Sequence, residues 1–184
     1  GNHGTLYNGP TWVDGKVGKA LSFDGVDDYV NCGNNPSLYN TPLNQWSIFA
    51  WVNPSNLSGL RNVIRKNPSG NGYYLRNNNG GMQTLLKWNT FYTERISSGS
   101  LSINEWQNVV MTYDGFYRKH YKNGILIDSW FENNSLAFDT NSYVAIGRNS
   151  TYNGEYWNGI IDEVRVYSRA LSEAEIQAIY NATR

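Results

Sequence analysis

Turn signals recur roughly every 8–12 residues along this chain, and short strand-like runs lie between them. The turns are rich in Gly, Asn, Asp and Pro, and 18 of the 184 residues are Gly. Aromatic residues make up 15% of the sequence, and aromatic and β-branched side chains favour strands. This spacing is typical of a sandwich or barrel, so the sequence predicts an all-β fold of about a dozen strands.

Three segments predict local structure in more detail. KNGILID places Asn123 and Gly124 between two strand-like runs, which is a strong hairpin signal. Near the end of the chain, Ser172 and Glu175 form a capping-box pattern, so the sequence predicts one short C-terminal helix. In QWSIFAWVNP both faces of the strand are apolar, so this strand is predicted to be buried on both sides. Its two faces carry Trp46, Ile48, Ala50 and Val52 on one side, and Phe49 and Trp51 on the other.

Composition narrows the classes of partner. The net charge is zero and only 16% of residues are charged, so neither nucleic acid binding nor membrane insertion is expected. Cys32 is the single cysteine, so the chain can form no internal disulfide. We expect residues 1–184 to be a single domain. Because the sequence begins at Gly1 without Met, we expect it to be a module excised from a longer protein.

The sequence lacks a recognisable catalytic arrangement. The two histidines, His3 and His120, are far apart, and Cys32 has no evident His partner. Glycoside hydrolysis needs two facing carboxylates, but the acidic pairs here are adjacent on strands or lie on the helix. We therefore predict no catalytic residues and no enzymatic activity.

Asp162 raises a separate question. With a period of two, GIIDEVRVY places Asp162 on the same face as Ile160, Val164 and Val166, which predicts a core-facing carboxylate. A carboxylate in that position must be bonded or neutralised. Two explanations stay open: a calcium ion bound by Asp162 and loop carbonyls, or hydrogen bonds from backbone N–H groups of a neighbouring loop.

Several segments, in order, resemble the LamG-like jelly-roll domains of the concanavalin A-like lectin/glucanase fold. They are ALSFDGVDDYV, WSIFAWVNP, EWQNVVMTYDG, KNGILID, VAIGRN and GIIDEVRVYSRALSEAEI, and they extend over essentially the whole chain. The resemblance implies a two-sheet antiparallel jelly-roll sandwich with six or seven strands in each sheet. It also implies a structural calcium site, in which Asp162 is the side-chain ligand and the Asp24–Gly25 turn supplies a carbonyl. Asp27 and Asp28 are interpreted as turn residues.

Sugar binding by a sandwich requires aromatic rings for stacking and planar polar groups for hydroxyls, and this chain contains many of both. In GYYLRNN and YRKHYKNG, aromatic and basic residues alternate, which favours one solvent-facing side on each strand. Basic groups on such a surface would suit an acidic or sulfated sugar. The residues predicted to line the concave face or its rim are Tyr74, Arg76, Trp88, Tyr92, Arg118 and His120.

The family resemblance fixes no single function, because members serve several roles. The first hypothesis is a non-catalytic carbohydrate-binding module of a secreted or cell-surface protein, with a glycan or polysaccharide as partner. The second is a protein-interaction or adhesion module of an extracellular protein that uses its loops. The third is a structural spacer. Exposed aromatic residues away from the concave face would favour the second hypothesis, the protein-interaction module.

Overall fold

The strands form two seven-stranded sheets in a computed structural model that describes residues 2–39, 44–66, 72–87, 91–136 and 140–184. Every strand pairing is antiparallel. Sheet I contains, in spatial order, β1 (Thr5–Tyr7), β4 (Tyr29–Asn31), β13 (Ala145–Ile146), β6 (Leu60–Lys66), β7 (Tyr73–Asn78), β8 (Gly81–Lys87) and β9 (Tyr92–Ser100). Sheet II contains β12 (Ile125–Phe131), β11 (Tyr117–Lys122), β10 (Gln107–Tyr113), β5 (Trp46–Pro54), β14 (Asn158–Tyr167), β3 (Lys19–Asp24) and β2 (Thr11–Asp14). The predicted two-sheet sandwich is confirmed.

The main core lies between the sheets, and β5 shows why the sequence builds it there. Its even-numbered apolar side chains, from Trp46 to Val52, enter this core. Phe49 and Trp51 point the other way and join a second apolar cluster with Tyr121. The strand is therefore buried on both faces, as its double apolar pattern predicts.

The C-terminal helix covers that second cluster. α1 (Glu173–Thr183) begins after Ser172, whose side chain accepts a hydrogen bond from the Glu175 N–H while the Glu175 side chain bonds back to Ser172, so the capping box is confirmed. The Trp51 ring stacks on Tyr180 at 5.5 Å between centroids. Among the described residues, α1 falls short of the length and apolar character that a membrane-spanning helix needs.

The predicted hairpin joins β11 to β12. Asn123 and Gly124 have φ angles of 51° and 78°, as a tight hairpin turn between twisted strands requires. β12 forms one edge of sheet II, and α1 lies on the outer face of the same sheet. The outer face of sheet I is on the opposite side of the molecule, away from α1.

Candidate functional site

The outer face of sheet I carries a cluster of polar and aromatic side chains. In β7, alternate residues enter the core, so Tyr74 and Arg76 project from the outer face. Tyr92 lies on the same face, because β9 pairs with β8 and continues the alternation through Glu94. The structure therefore brings together three of the predicted binding residues, but Tyr74 and Arg76 are buried beneath this face, at 1% and 7% exposed, and of the three only Tyr92 is exposed. Trp88, a fourth, lies outside the described residues.

The carboxylate of Glu155 is the centre of this cluster. Glu155 lies in the loop before β14 and has a φ of 55°, in the left-handed region that side chains other than glycine rarely adopt. Its main-chain oxygen accepts a hydrogen bond from the Asn62 N–H at 2.9 Å, which ties the loop to β6. The side-chain donors to its carboxylate are Asn62 Nδ2 (2.7 Å), Arg65 Nη1 (3.0 Å), Arg76 Nη1 (3.3 Å), Asn149 Nδ2 (3.2 Å) and Tyr152 Oη (2.6 Å).

The hydrogen-bond donors around the Glu155 carboxylate affect its pKa. Burial would raise the pKa of a carboxyl group, because it penalises the charged form. Hydrogen bonds from Tyr152 and Asn62, together with the charges of Arg65 and Arg76, outweigh burial and lower the pKa of Glu155 below its ordinary value. Glu155 is therefore ionised at neutral pH and acts as a fixed anion.

Tyr74 lies between the two arginines bound to Glu155. The Arg76 guanidinium carbon is 4.3 Å from the ring centroid and that of Arg65 is 5.1 Å away, which are cation–π distances. The Tyr74 hydroxyl donates a hydrogen bond to Glu94, which is also 3.5 Å from Arg76. Burial, and then the bond to Glu94, raise the pKa of Tyr74, so its proton stays in place.

The cluster is neutral and internally bonded. Arg65 and Arg76 are balanced by Glu155 and Glu94, and the Nε of Arg76 also donates to Gln83 at 2.8 Å. A network in which each planar group is held by its neighbours is rigid. It is suited to serve as the floor of a binding surface, because it needs no rearrangement when a ligand binds.

Exposed tyrosines stand at the margins of this floor. Tyr152 and Tyr92 are each 53% exposed. The Tyr152 hydroxyl donates to Glu155, and the edge of its ring lies against Gly154, so this exposed ring is held in one orientation. At the β1–β4 edge of the same face, the rings of Tyr7 and Tyr29 stack 4.8 Å apart at an interplanar angle of 6°.

Sequence reasoning missed the central residue of this site. Glu155 lies in an irregular loop, where no periodicity indicates which way a side chain points. Its partners Asn62 and Arg76 are 93 and 79 residues away in the sequence. The one local signal is that Tyr152 and Tyr156 flank Glu155 in a segment with few other charges.

The prediction that Arg118 and His120 face solvent is wrong. Both side chains are 0% exposed. They lie on the inner face of β11, in register with Tyr113 and Met111 of the core-facing side of β10. The polar face of β11 is turned towards sheet I, because the buried charge finds an acidic partner there in Glu132.

Arg118 is bonded on every side. Its Nε donates to a carboxylate oxygen of Glu132 at 2.8 Å, and its Nη2 forms an ion pair with the same oxygen at 2.6 Å. Its Nη1 donates to the main-chain oxygens of Thr84 and Thr93, at 3.1 Å and 3.2 Å, which links sheet II to β8 and β9 of sheet I. Burial lowers the pKa of Arg118 to about 10, and Glu132 acts in the opposite direction. Arg118 is therefore an internal brace between the sheets.

His120 is buried beside this brace. Its Nε2 lies 2.6 Å from the Thr84 hydroxyl, and its ring meets Trp130 edge-on at 4.7 Å. Its Nδ1 is buried without a hydrogen-bond partner among the described residues. Burial, and then the nearby Arg118 charge, hold the pKa of His120 well below its usual value. His120 is therefore neutral in the folded protein.

We expect the neutral state of His120 to make stability depend on pH. The unfolded chain binds a proton on this histidine below its ordinary pKa of 6.5, whereas the folded chain does not. The contribution of neutral His120 to the free energy of unfolding is therefore complete above pH 6.5. As pH falls below that value, the free energy of unfolding decreases by about 1.4 kcal/mol per pH unit. Thermal melts between about pH 7 and about pH 5 should show a shallower pH dependence for His120→Gln. His3→Gln, at an exposed position, is the control and should follow the wild type.

The prediction that Asp162 faces the main core is also wrong. Ile161, its neighbour, is the residue in that core. Asp162 pairs with Trp51, on the opposite face of the strand. A β-bulge between Asp162 and Arg165, with Glu163 at a φ of 51°, then shifts the alternation so that the later valines return to the core side. A strict period of two cannot reveal such an insertion.

The Asp162 carboxylate is satisfied by backbone N–H groups. Its Oδ2 accepts from Val17 at 2.9 Å and its Oδ1 accepts from Glu163 at 2.7 Å. Of the two explanations left open by the sequence, the structure contains the hydrogen bonds from a neighbouring loop, the β2–β3 turn.

The predicted calcium ligands are not brought together. Asp24 lies opposite Asn158, four residues before Asp162 in β14, which corresponds to about 13 Å along a strand. The Asp24 carbonyl, expected to be a ligand beside Gly25, accepts a hydrogen bond from Asn158 Nδ2 at 2.5 Å. The ligand set Asp24, Gly25 and Asp162 therefore does not form one site. Calcium binding itself stays a prediction.

The aspartates of the β3–β4 turn bond to the turn. Asp24 Oδ1 accepts from the N–H of Val26 at 2.7 Å, as in an Asx turn. Asp28 Oδ2 accepts from the N–H of Asp24 at 2.9 Å. Asp24, Asp27 and Asp28 each have a carboxylate oxygen within 4.8 Å of the others. The bond of Asp28 agrees with its interpretation as a turn residue.

Solved structures with the same fold include two binding domains and one domain of an arabinanase. The chain resembles the binding domain of Paraclostridial Mosquitocidal Protein 1 (TM-score 0.83, 19% identity, 98% of this chain and 47% of that one). It also resembles the binding domain of Botulinum Neurotoxin DC in complex with SialylT (TM-score 0.77, 17% identity, 99% and 47%). A third is Domain 4 of AbnA, a GH43 extracellular arabinanase from Geobacillus stearothermophilus, in complex with arabinotriose (TM-score 0.72, 20% identity, 96% and 87%). At these identities the likeness establishes the fold.

Sequence comparisons identify the family. Pesticidal crystal protein Cry19Ba of Bacillus thuringiensis subsp. higo is 25% identical over 109 residues, which are 58% of this chain. The chain spans 15% of the length of that relative. A laminin G-type family model, described as the concanavalin A-like lectin/glucanases superfamily, matches residues 24–177. Because this match covers most of the chain, the protein belongs to the concanavalin A-like lectin/glucanases superfamily.

Proposed function

We propose that the chain is a non-catalytic carbohydrate-binding module of an extracellular protein, and that it binds glycan on the outer face of sheet I. The observation that carries the proposal is the rigid polar floor around Glu155, with the exposed and oriented ring of Tyr152 beside it. Exposed rings stack on the apolar faces of sugars, and fixed planar groups bond to hydroxyls. Neighbours with the same fold are described in complex with SialylT and with arabinotriose, which supports this class of ligand.

The two carboxylates described on this surface, Glu155 and Glu94, are poorly placed for acid–base catalysis. Glu155 and Glu94 are held by arginines, and the Glu155 pKa is lowered, so this carboxylate is poorly suited to donate a proton. The solved relatives of the same fold are described as binding domains, or as a domain of a larger hydrolase. The proposal therefore assigns recognition, not turnover, to this face.

A glycan array followed by affinity gels with soluble polysaccharides tests the proposal. Both are run with calcium and again with a chelator, which also shows whether bound calcium affects recognition. We expect the wild type to be retained by at least one glycan and Tyr152→Ala to bind about tenfold more weakly, since a stacking platform is removed. Tyr152→Phe keeps the ring and should lose much less.

Phe131→Ala is the matched control, because Phe131 is 63% exposed but lies on the sheet II side. It should bind glycan like the wild type. No retention of the wild type on any glycan or gel would reject the proposed function, and equal binding by Tyr152→Ala would reject this face as the site.

The alternative, a protein-interaction module, is favoured by one observation. Phe116, Tyr117 and Phe131 form an exposed aromatic patch at the β11–β12 end of sheet II, with Tyr117 and Phe131 in edge-on contact at 5.4 Å. Such patches often mark protein contacts. Cell binding that survives periodate oxidation of surface glycans and is lost in a Tyr117→Ser, Phe131→Ser variant would support this alternative.

A further inference from the structure

Arg148 differs from the other buried arginines of the described residues. Arg65, Arg76 and Arg118 are buried and each is paired with a glutamate. Arg148 is 9% exposed and forms no ion pair within the part of the chain that the structure describes. Its Nε donates to the main-chain oxygen of Asn149 at 2.7 Å, and neither Nη1 nor Nη2 has a hydrogen bond to a described residue.

The Arg148 guanidinium is held in place by tyrosine rings. Its central carbon is 4.3 Å from the centroid of the Tyr29 ring and 6.0 Å from that of Tyr156. Cation–π contacts of this kind orient the planar group, but they leave its hydrogen-bonding edge without an acceptor. A cation removed from most of its water and left without an anion is costly, so an incoming oxyanion would relieve that cost.

Tyr7 extends this arrangement into solvent. It pairs with Tyr29 across β1 and β4, and the two rings are nearly parallel. Val30, the neighbour of Tyr29, enters the core, so both tyrosines lie on the outer face of sheet I, together with Glu155. Tyr7 is 41% exposed and presents one ring face beyond the Tyr29 stack. A stacking surface therefore lies next to a fixed, unpaired guanidinium.

We infer that Arg148, with Tyr7 and Tyr29, forms a subsite for a sugar that carries a carboxylate. A planar guanidinium matches a carboxylate by two parallel hydrogen bonds, which a neutral hydroxyl cannot reproduce. The neighbouring Glu155 anion is already shared among five donors and cannot serve Arg148 as well. The inference rests on the proposed function, since it names the class of glycan for the same face of sheet I.

Carboxylated polysaccharides and their neutral counterparts test the subsite. The probes are polygalacturonate, alginate and hyaluronan, each beside its carboxyl-reduced form, in affinity gels at low and high salt. We expect at least one carboxylated polymer to bind about tenfold more tightly than its reduced form, and this difference to shrink with salt. Arg148→Gln should remove the difference without changing the affinity for the reduced form.

Two further variants separate recognition from folding. Tyr7→Ala changes an exposed ring and should weaken binding of the carboxylated polymer severalfold while the thermal midpoint stays close to that of the wild type. Lys119→Gln, which removes a cation from the outer face of sheet II, should bind like the wild type. A thermal melt of Arg148→Gln confirms that the variant is folded at the assay temperature.

The outcomes distinguish the subsite from the function it rests on. If the protein binds neutral glycans but no carboxylated polymer better than its reduced form, the subsite is wrong and the proposed function stands. The subsite is also wrong if Arg148→Gln binds the carboxylated polymer as tightly as the wild type. If dextran sulfate binds with the same affinity as the carboxylated polymer, the site is a general anion site and the assignment to carboxylates is overturned. If no glycan of any kind binds, both proposals fail.

Discussion

Replacing Arg118 with Met is expected to lower the free energy of unfolding by about 3–5 kcal/mol, because it leaves a buried carboxylate without its main partner. Glu132 has a side chain only 2% exposed, and its remaining ion pair is with Arg95 at 2.8 Å. The main-chain oxygens of Thr84 and Thr93 would also lose the hydrogen bonds from Arg118. Chemical denaturation should show the loss, and in a domain of this size the thermal midpoint should fall by roughly 10 °C.

A second substitution identifies the cause. The double variant Arg118→Met, Glu132→Leu replaces the ion pair with apolar groups, and we expect it to recover much of the lost stability. Lys19→Met removes one partner of the exposed Lys19–Asp14 pair and should be nearly neutral. If Arg118→Met unfolds with the wild-type free energy, the buried pair contributes nothing and its role as a brace is wrong.

The same variant also tests the corrected location of Arg118. The sequence pattern predicts Arg118 as a ligand residue, and a glycan-binding role would make Arg118→Met lose binding. In the structure the side chain is 0% exposed and lies between the sheets. Folded Arg118→Met should therefore bind glycan like the wild type.

The sequence predicts well those structural features that are determined by residues close together in the chain. The two-sided burial of β5, the Asn123–Gly124 turn and the Ser172–Glu175 capping box each follow from residues within a few positions of one another. For these features, one short segment contains both the residue types that form the structure and the spacing that places them in it. The family resemblance supplies the arrangement of strands into two sheets.

The sequence predicts poorly where a side chain depends on a distant partner or on an inserted residue. Arg118 is buried because Glu132, 14 residues later, neutralises it, and a polar alternation alone indicates a solvent-facing strand. The bulge at Glu163 reverses the face on which later residues of β14 lie, so a strict alternation places Asp162 on the wrong side. Tyr74 and Arg76 do project from an outer face as the alternation indicates, but their burial follows from Glu155, which no pattern located.

Replacing Glu155 with Gln is expected to destabilise the protein by roughly 3 kcal/mol at neutral pH, since Arg65 and Arg76 lose a shared anion. The side chains of Glu155, Arg65 and Arg76 are about one-tenth exposed, so water compensates little for the loss. The amide keeps the size of the side chain, which limits the change to charge and hydrogen bonding. Equilibrium unfolding in urea measures the difference.

Glu163→Gln is a closely matched control. Glu163 also has a positive φ, 51° against 55° for Glu155, and it also pairs with an arginine, Arg165. Its side chain is 24% exposed and that of Arg165 is 38% exposed, so the pair is more strongly screened and we expect a loss below about 1 kcal/mol. Because both substitutions keep the backbone strain, the difference between them reports the buried network.

The pH dependence fixes the origin of the Glu155 effect. The pKa of Glu155 is lowered in the folded chain from 4.5, so its stabilisation is complete above that pH and is lost as pH falls and the carboxylate takes up a proton. The difference in free energy of unfolding between wild type and Glu155→Gln should therefore be largest at neutral pH and become smaller in acid. Because Tyr152 loses its charged acceptor, glycan binding by folded Glu155→Gln should weaken as well. A gap that stays constant with pH would show that the carboxylate charge is not what holds this face together.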